Sequence, residues 1–552
     1  MRRYHYLGFG RRAHVRRHVE PDANGENERR PRPAHLRAAA LHFRPDQSHH
    51  GRRDGELRLV RRCHSRGAKE HDWLRRASRH QGDHAPGFTG RFPDRGIPGR
   101  TRADRSHRAS QKNAGADHPV PELLLQHFVN VAGASNVGGA SAPRPSPAYK
   151  KTLAWLYGTQ RFGIKLGLEN IERLLQELKL PGKDQRVIHV AGTNGKGSVC
   201  AMIDSICRAQ GYRTGLFTSP HLVTYRERIQ VDGEMIVEEE VAVGLETIRA
   251  HIRDWKPHPT FFEITTALAL MHFKEHDCEL IVLETGLGGR LDATNAVQSV
   301  VSVLTPIGYD HQEWLGHSLE EIAAEKAGII KSRIPVASAL QEPAAEKVVR
   351  ARAAECDAPV EMVTQPYTKS RVALAGAHQK QNASLAIAAL RFGGIAIGED
   401  AIDRGLADVH WPARFQIWED RIIIDGAHNP AGANVLAKTW RDQLGDERAT
   451  IILAVLSDKD VAGIWRALAP IAQRLILPPA RNERALPPQK VALIVRPMSP
   501  DLSISIASSL DHAFQQAQAE RERLLVTGSL HFAGEALAKL RGNADALEEC
   551  SQ

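Results

Sequence analysis

Residues 186–198 read RVIHVAGTNGKGS: an apolar run, then a glycine-rich turn holding one lysine and closing on a hydroxyl. A turn of this kind between a strand and a helix aims free backbone N–H groups and the positive helix end at one point, which suits a polyphosphate. Gly192, Thr193, Asn194, Gly195, Lys196, Gly197 and Ser198 are therefore candidate nucleotide contacts. Lys196 would reach the terminal phosphates and Ser198 would offer a hydroxyl to phosphate or Mg²⁺. The spacing departs from the common G-x-x-x-x-G-K-[ST] pattern, because Gly197 stands between lysine and serine. Other residues could join this chemistry. Glu284 ends the apolar run 280–283 and is a hard carboxylate suited to Mg²⁺. His311 follows the run 300–305 in a turn, and Lys326 lies on a predicted helix beyond it. Arg414 carries a planar, permanently charged fork that fits anionic oxygens, and Asp425 and His428 sit in the turn DGAHNPAG. Taken singly, each has an ordinary reading: a capping or ion-paired glutamate, a structural histidine, a lysine solvated among Glu320, Glu321 and Glu325.

The elements that must position these residues alternate. RVIHVA (186–191) is a strand, 196–211 has helical spacing with a glycine stop, and YRTGLF (212–217), LIVLET (280–285), VVSVLT (300–305) and IPVASAL (334–340) are further strands. FTSPHLVTYRERIQVDG (217–233) reads as a polar loop, and the stretch around 393–412 carries little signal. A second unit follows: RIIIDGAHNPAGANVLAKTW (421–440) as strand, turn and helix, then strands ATIILAVL (449–456) and RLLVTG (523–528). Strands alternating with helices predict parallel sheets covered on both faces. The fold class is α/β: a P-loop-type, mostly parallel ATPase domain at 149–412, and a smaller Rossmann-like α/β domain at 413–548, with a hinge near 410–414. Asp425 and His428 would then face the glycine loop across a cleft.

Composition bounds the rest. The chain has 552 residues and a formal charge of +10, which invites a nucleic-acid reading. Residues 1–149, however, hold 27 Arg and only 2 Lys against 8 Asp and 6 Glu, so the remainder is slightly acidic. That first quarter also holds 14 of the 27 His and no sustained apolar periodicity, so it lacks the means to bury a core. The expectation for 1–148 is an Arg/His-rich extension arising from a mis-assigned start or a wrong-frame translation, with a disordered basic tail or a targeting segment as alternatives. Met1 and Met202 are separated by no other Met, so a start near 130–150 would use a non-Met codon, as at Val129, Val131 or Val137. Six Cys form no C-x-x-C pair, which fits a reducing cytoplasm. No run of 18 apolar residues exists to span a membrane.

The short form GTNGKGS resembles ATP-dependent carboxylate–amine ligases of the Mur type, and within them the folylpolyglutamate synthase/dihydrofolate synthase family. TSPHL (218–222), GRLDATN (289–295), DHQEWLG (310–316), EKAGI (325–329), WPARFQ (411–416) and DGAHNPAG (425–432) follow in the same order, so the match covers roughly 150–540. The resemblance implies Mg²⁺ held by Ser219 and Glu284, and a second ion at His311. It implies pterin contacts at Phe262, Asp292 and Ala293, a nucleotide contact at Asn382, read as lying at a helix start, and Arg414 approaching the ATP phosphates from the linker. It also implies carbamylation of Lys326, a loosely assigned glutamate contact at Ser529, and a first substrate segment at IKLGLEN (164–170). LSDKD (456–460) matches family positions too. The implied reaction joins L-glutamate to dihydropteroate or to tetrahydrofolate (poly)glutamate through an acyl phosphate, releasing ADP and phosphate. GRLDATN is worded more like enzymes that also accept dihydropteroate. A monomer binding neither nucleic acid nor membrane is expected. The alternatives are a cell-wall Mur ligase, against which Gly197 and TSPHL count, and a nucleic-acid-binding P-loop ATPase, against which the scarcity of Lys in 1–149 counts.

Overall fold

The computed structural model describes residues 145–162, 167–518 and 522–548. The expectation for the Arg/His-rich stretch up to residue 144 lies outside the described residues, as do positions 164–166 of IKLGLEN. The described residues start slightly before the anticipated boundary, and Ser146 caps a helix over Pro147–Gly158 by accepting from Tyr149 N.

Two sheets form, and the chain order explains where a ligand can sit. The first holds β1 (Arg186–Ala191), β2 (Thr214–Phe217), β3 (Ile229–Val231), β4 (Glu234–Met235), β5 (Leu280–Glu284), β6 (Val301–Leu304), β7 (Val336–Ala339) and β8 (Val360–Val363). Its spatial order is β4-β3-β2-β5-β1-β6-β7-β8, with only β3 running against the rest, antiparallel to both β2 and β4. After β1 the chain goes to one side of the sheet and later returns to β6 on the other. The loop after β1 therefore opens at the switch point, where side chains of an α/β sheet leave room for a ligand. Every residue of β1 beyond Arg186 is buried, because helices cover both faces. Val187, Ile281 and Leu283 face the layer containing helix Phe261–Glu275, while Ile188, Val190 and Val282 face helix Lys196–Gln210. This alternation is the period-2 geometry of a strand buried on both sides.

The second sheet holds β9 (Gln416–Trp418), β10 (Ile422–Ile424), β11 (Ala449–Leu453), β12 (Ala472–Leu477), β13 (Ser503–Ile506) and β14 (Arg523–Thr527), in the order β13-β12-β11-β14-β10-β9. Only β9 runs antiparallel. The chain's end returns to the first lobe: the Glu548 carboxylate accepts from Tyr225 N at 2.6 Å, Tyr149 Oη at 3.0 Å and Thr224 Oγ1 at 3.1 Å.

Two expectations are corrected. The stretch 217–233 read as a loop includes β3, which is only three residues long and too brief for its alternation to register. The low-signal stretch 393–412 contains a helix over Glu399–Asp408. Gly405 argues against helix in the sequence, yet a Cβ there would stand 2.5 Å from Ile206 Cα, so the glycine permits close packing on helix Lys196–Gln210.

Candidate active site

The glycine loop follows β1 directly, and Gly195 is the N-cap of helix Lys196–Gln210. The first-turn N–H groups of Lys196, Gly197 and Ser198 lack intrahelical acceptors and open toward the cleft. Thr193 N and Asn194 N instead donate to Pro306 O at 3.0 and 3.3 Å, so these two residues shape the loop through their main chain. Lys196 Nζ folds back onto Thr193 O at 3.3 Å. Ser198 Oγ accepts from Gln379 Nε2 at 3.3 Å, and Gln379 Oε1 in turn accepts from Asn382 Nδ2 at 2.9 Å. Asn382 lies one turn inside helix Ala377–Phe392 rather than at its start, because the helix begins at Ala377. The odd glycine has a spatial reason: a Cβ on Gly197 would come within 2.8 Å of Trp411 Nε1. The linker indole lies where a larger residue would need space.

Around this loop stand buried groups of opposite sign. Glu284 is 5% exposed at the end of β5, and its Oε2 accepts from Ser219 N at 3.1 Å. Desolvation raises its pKa, with Lys196, the hydrogen bond from Ser219 N and then Arg414 pulling the other way. Ser219 Oγ is buried with no hydrogen-bond partner. A buried hydroxyl oxygen left unpaired beside a carboxylate is a donor set that fits a hard cation, so these two residues could hold Mg²⁺. His311 takes a left-handed conformation, φ 51°, at the end of β6's loop. Its imidazole is brought down to about 4, first by desolvation in the cleft, with Asp310 opposing and Lys459, Lys196 and Lys326 assisting. It is a neutral base at ordinary pH and so is able to ligate a metal.

Lys326 is not the solvated residue its neighbours suggest. Ser318 and Glu321 form a capping box that starts helix Leu319–Ala327, and Ile322, Ala323, Lys326 and Ala327 fall on its buried face. Lys326 Nζ donates to Gly192 O at 2.9 Å. Desolvation, then repulsion from Lys196, lowers its pKa to about 7.

The second lobe supplies the opposite wall. Asp425 directly follows β10 and accepts from Phe415 N at 2.8 Å and Ala427 N at 2.9 Å, which fixes the linker. Arg414 is desolvated, with Asp425 and Glu284 as its electrostatic partners. Asn429 and Asn194 exchange side-chain amide bonds at 3.1 and 3.3 Å. Asn429 Nδ2 also donates to Asp310 Oδ2 at 3.0 Å, Lys459 Nζ donates to Asp310 Oδ1 at 2.7 Å, and His428 Nε2 stands 3.5 Å from Asp310 Oδ2. Burial alone would raise the Asp310 carboxyl, but its contacts with His428, His311 and Lys459 hold it well below the usual range. Asp310, Lys459, Asn429 and Trp411 were not singled out from the sequence. Asp310 adjoins His311 and Lys459 lies within LSDKD, but nothing along the chain signals that they meet.

Phe262 lies in the first turn of helix Phe261–Glu275, its ring against Gly286 and 5.8 Å from Phe217. Asp292 accepts from Gly286 N and Leu287 N, both at 2.9 Å, and from Thr294 N at 3.1 Å and Oγ1 at 2.5 Å. Its carboxylate thus organises the loop that carries Ala293. Ser529 caps helix Leu530–Leu540 by accepting from Phe532 N at 3.0 Å. All the residues singled out from the sequence line one cleft of about 1970 Å³ between the C-terminal strand edges of the two sheets.

Comparison with known proteins bears on what this cleft belongs to. The Mur ligase middle domain matches residues 190–355, and the Mur ligase glutamate ligase domain matches 413–530. The dihydrofolate synthase/folylpolyglutamate synthase of Bacillus subtilis is 34% identical over 431 residues, covering 71% of this chain and 99% of that protein. The crystal structure of Mycobacterium tuberculosis folylpolyglutamate synthase complexed with ADP superposes with a TM-score of 0.66 at 31% identity, over 71% of this chain and 98% of that one. The bifunctional enzyme of Yersinia pestis, complexed with AMPPNP and a Mn ion, gives 0.65 at 30%, over 72% and 99%. The chain belongs to the folylpolyglutamate synthase/dihydrofolate synthase family of Mur ligases.

Proposed function

We propose that this protein uses ATP to join L-glutamate to the carboxylate of dihydropteroate, of tetrahydrofolate (poly)glutamate, or of both. A carboxylate is resonance-stabilised and would have to expel oxide, so an amine does not displace it unaided. Transfer of the γ-phosphoryl group to a carboxylate oxygen gives an acyl phosphate and ADP. The glutamate amine then attacks the acyl carbon, the C–O bond to phosphate breaks, and the amide and phosphate leave. Such chemistry asks the protein for positioning and charge neutralisation rather than a covalent nucleophile.

The observation that carries this reading is the convergence on one cleft of the glycine loop, Glu284, Lys326 and Arg414. The helix N-terminus and Lys196 receive the phosphates, with Ser198, Asn382, Asp425 and His428 completing the nucleotide site. Arg414 offsets charge on the transferred group. Ser219 and Glu284 would hold one Mg²⁺ and His311 a second; the ions would neutralise phosphate charge. An amine titrating near 7 is substantially neutral in the cell and nucleophilic toward CO₂, which supports carbamylation of Lys326. Phe262, with Ala293 on the loop that Asp292 braces, forms the pterin wall, and Ser529 lies toward the glutamate side. The nucleotide domain is assigned to 149–412 and the glutamate-ligase domain to 413–548, working as a monomer. Four described cysteines, Cys200, Cys207, Cys278 and Cys356, are buried free thiols, which supports a cytoplasmic setting. Among the described residues no helix is long and apolar enough to cross a membrane.

The test is ADP release by the full chain given Mg·ATP, L-glutamate and each pterin acid in turn, with a UDP-sugar peptide as the rival acid. Turnover dependent on both glutamate and a pterin acid is the expected result. No ADP with any pterin acid, or turnover only with the UDP-sugar, removes this function.

A further inference from the structure

Away from the cleft, the first lobe brings together a second set of ligating side chains. Glu240 lies in the first turn of helix Glu238–His251, His272 in the last turn of helix Phe261–Glu275, and His276 is that helix's C-cap. Their ligand atoms lie within 4.8 Å of one another. His276 Nε2 is 3.2 Å from Glu240 Oε1, His272 Nδ1 is 3.9 Å from Glu240 Oε2, and the imidazole centroids are 4.1 Å apart. None of the three lines the cleft. His272 stands ten residues beyond Phe262, about 15 Å along the helix axis.

We propose that Glu240, His272 and His276 bind one borderline transition-metal ion of the Zn²⁺ type, clamping the two helices together. Two imidazoles and one carboxylate form a donor set that favours such ions over Mg²⁺ or Ca²⁺, and three protein ligands leave a position for water. The H-x₃-H spacing puts both rings on one helix face. His276 Nδ1 contacts His272 O at 3.0 Å, and donation there fixes the tautomer whose Nε2 lone pair faces Glu240. His272 is 4% exposed, so its ring is held in place by the surrounding core. Glu240 and His276, with side chains 39% and 30% exposed, leave an entry route. Ligand atoms about 3.3 Å apart suit a tetrahedral ion with Zn–N near 2.0 Å; the Glu240 Oε1–His276 Nε2 pair is already at 3.2 Å, and with all three ligand atoms within 4.8 Å of one another the remaining closure is at most about 1.5 Å.

The experiment is Zn²⁺ titration of metal-stripped full-length protein by calorimetry, in millimolar Mg²⁺ to occupy hard-oxygen sites, alongside the His276→Gln and Glu240→Gln variants. These positions are partly exposed and tolerate the change better than His272. We expect wild-type protein to bind one Zn²⁺ that both variants bind about tenfold or more weakly, a loss that even outer-shell changes commonly produce. Zn²⁺ should raise the thermal midpoint of wild type alone, and ligase turnover should be equal in all three. Equal Zn²⁺ affinity in wild type and variants overturns the proposal, as does wild-type binding weaker than on the order of 100 μM.

Discussion

The two walls of the cleft are built differently. The first lobe presents a loop, a helix end and strand-terminal residues that follow directly from short stretches of chain, with Thr193 and Asn194 bonded to Pro306 within the same lobe. The second lobe presents side chains, Asn429, His428 and Lys459, whose partner Asp310 belongs to the first lobe. The main chain of the glycine loop is therefore held within one lobe, while its Asn194 side chain also bonds Asn429 of the other. The charge balance at Asp310 exists only when the lobes are closed on each other. The loop backbone and the Asp310 cluster can accordingly be perturbed one at a time.

The sharpest way to break that division is at the cradle. Lys196→Ala should cost on the order of 10²–10³ in turnover, the scale of removing one transition-state charge donor, while circular dichroism stays native. Near-normal ligation would show that the first wall does not receive the phosphates.

Next is Lys326. Its replacement by Met removes the amine that could carry a carbamate, and turnover should fall about tenfold or more, with rescue by neither bicarbonate nor pH. In the unaltered protein, activation by bicarbonate should grow as pH rises through about 7, where this lysine loses its proton. A ¹³C-bicarbonate NMR signal bound to protein and absent in the variant checks the modification directly.

A smaller effect belongs to the second wall. Lys459→Met leaves Asp310 with fewer counter-charges, so its depressed pKa should rise. A carboxyl held low in the folded state contributes stability above its unfolded pKa and loses it as pH falls through the folded value. Acid unfolding of the variant should therefore begin at higher pH, with kcat lowered more than ATP affinity. Equal loss of ATP affinity would erase the distinction between walls.

The smallest change expected is Gly197→Ala. The added Cβ meets Trp411 at 2.8 Å, and strain of about 1–3 kcal/mol, shared between the loop and the linker, should raise KM for ATP a few fold. Shrinking Trp411 to Leu in the same chain should recover most of it. Failure to recover would mean that the indole does not limit the loop.

Legibility followed the same split. RVIHVA was readable as a strand because every residue but the first is buried on one face or the other, and the helix at Lys196 because a glycine precedes and follows it. Glu284 and His311 were readable as strand-end residues. The three-residue β3 and the helix around Gly405 were not, since one is shorter than any period and the other carries a glycine whose purpose lies on a different helix. Lys326 looked solvated because the acidic residues beside it in sequence occupy other faces of its helix.

What the chain determined alone was the run of strand, glycine turn and helix, and hence the place of the glycine loop, because periodicity and turn chemistry act between residues a few positions apart. Tertiary structure alone decided that Lys459 reaches Asp310, 149 residues away, that Trp411 covers Gly197, and that Glu240 meets His272 and His276. Such meetings depend on how sheets and helices pack, and nothing in local spacing encodes which distant side chain will lie at hydrogen-bonding range.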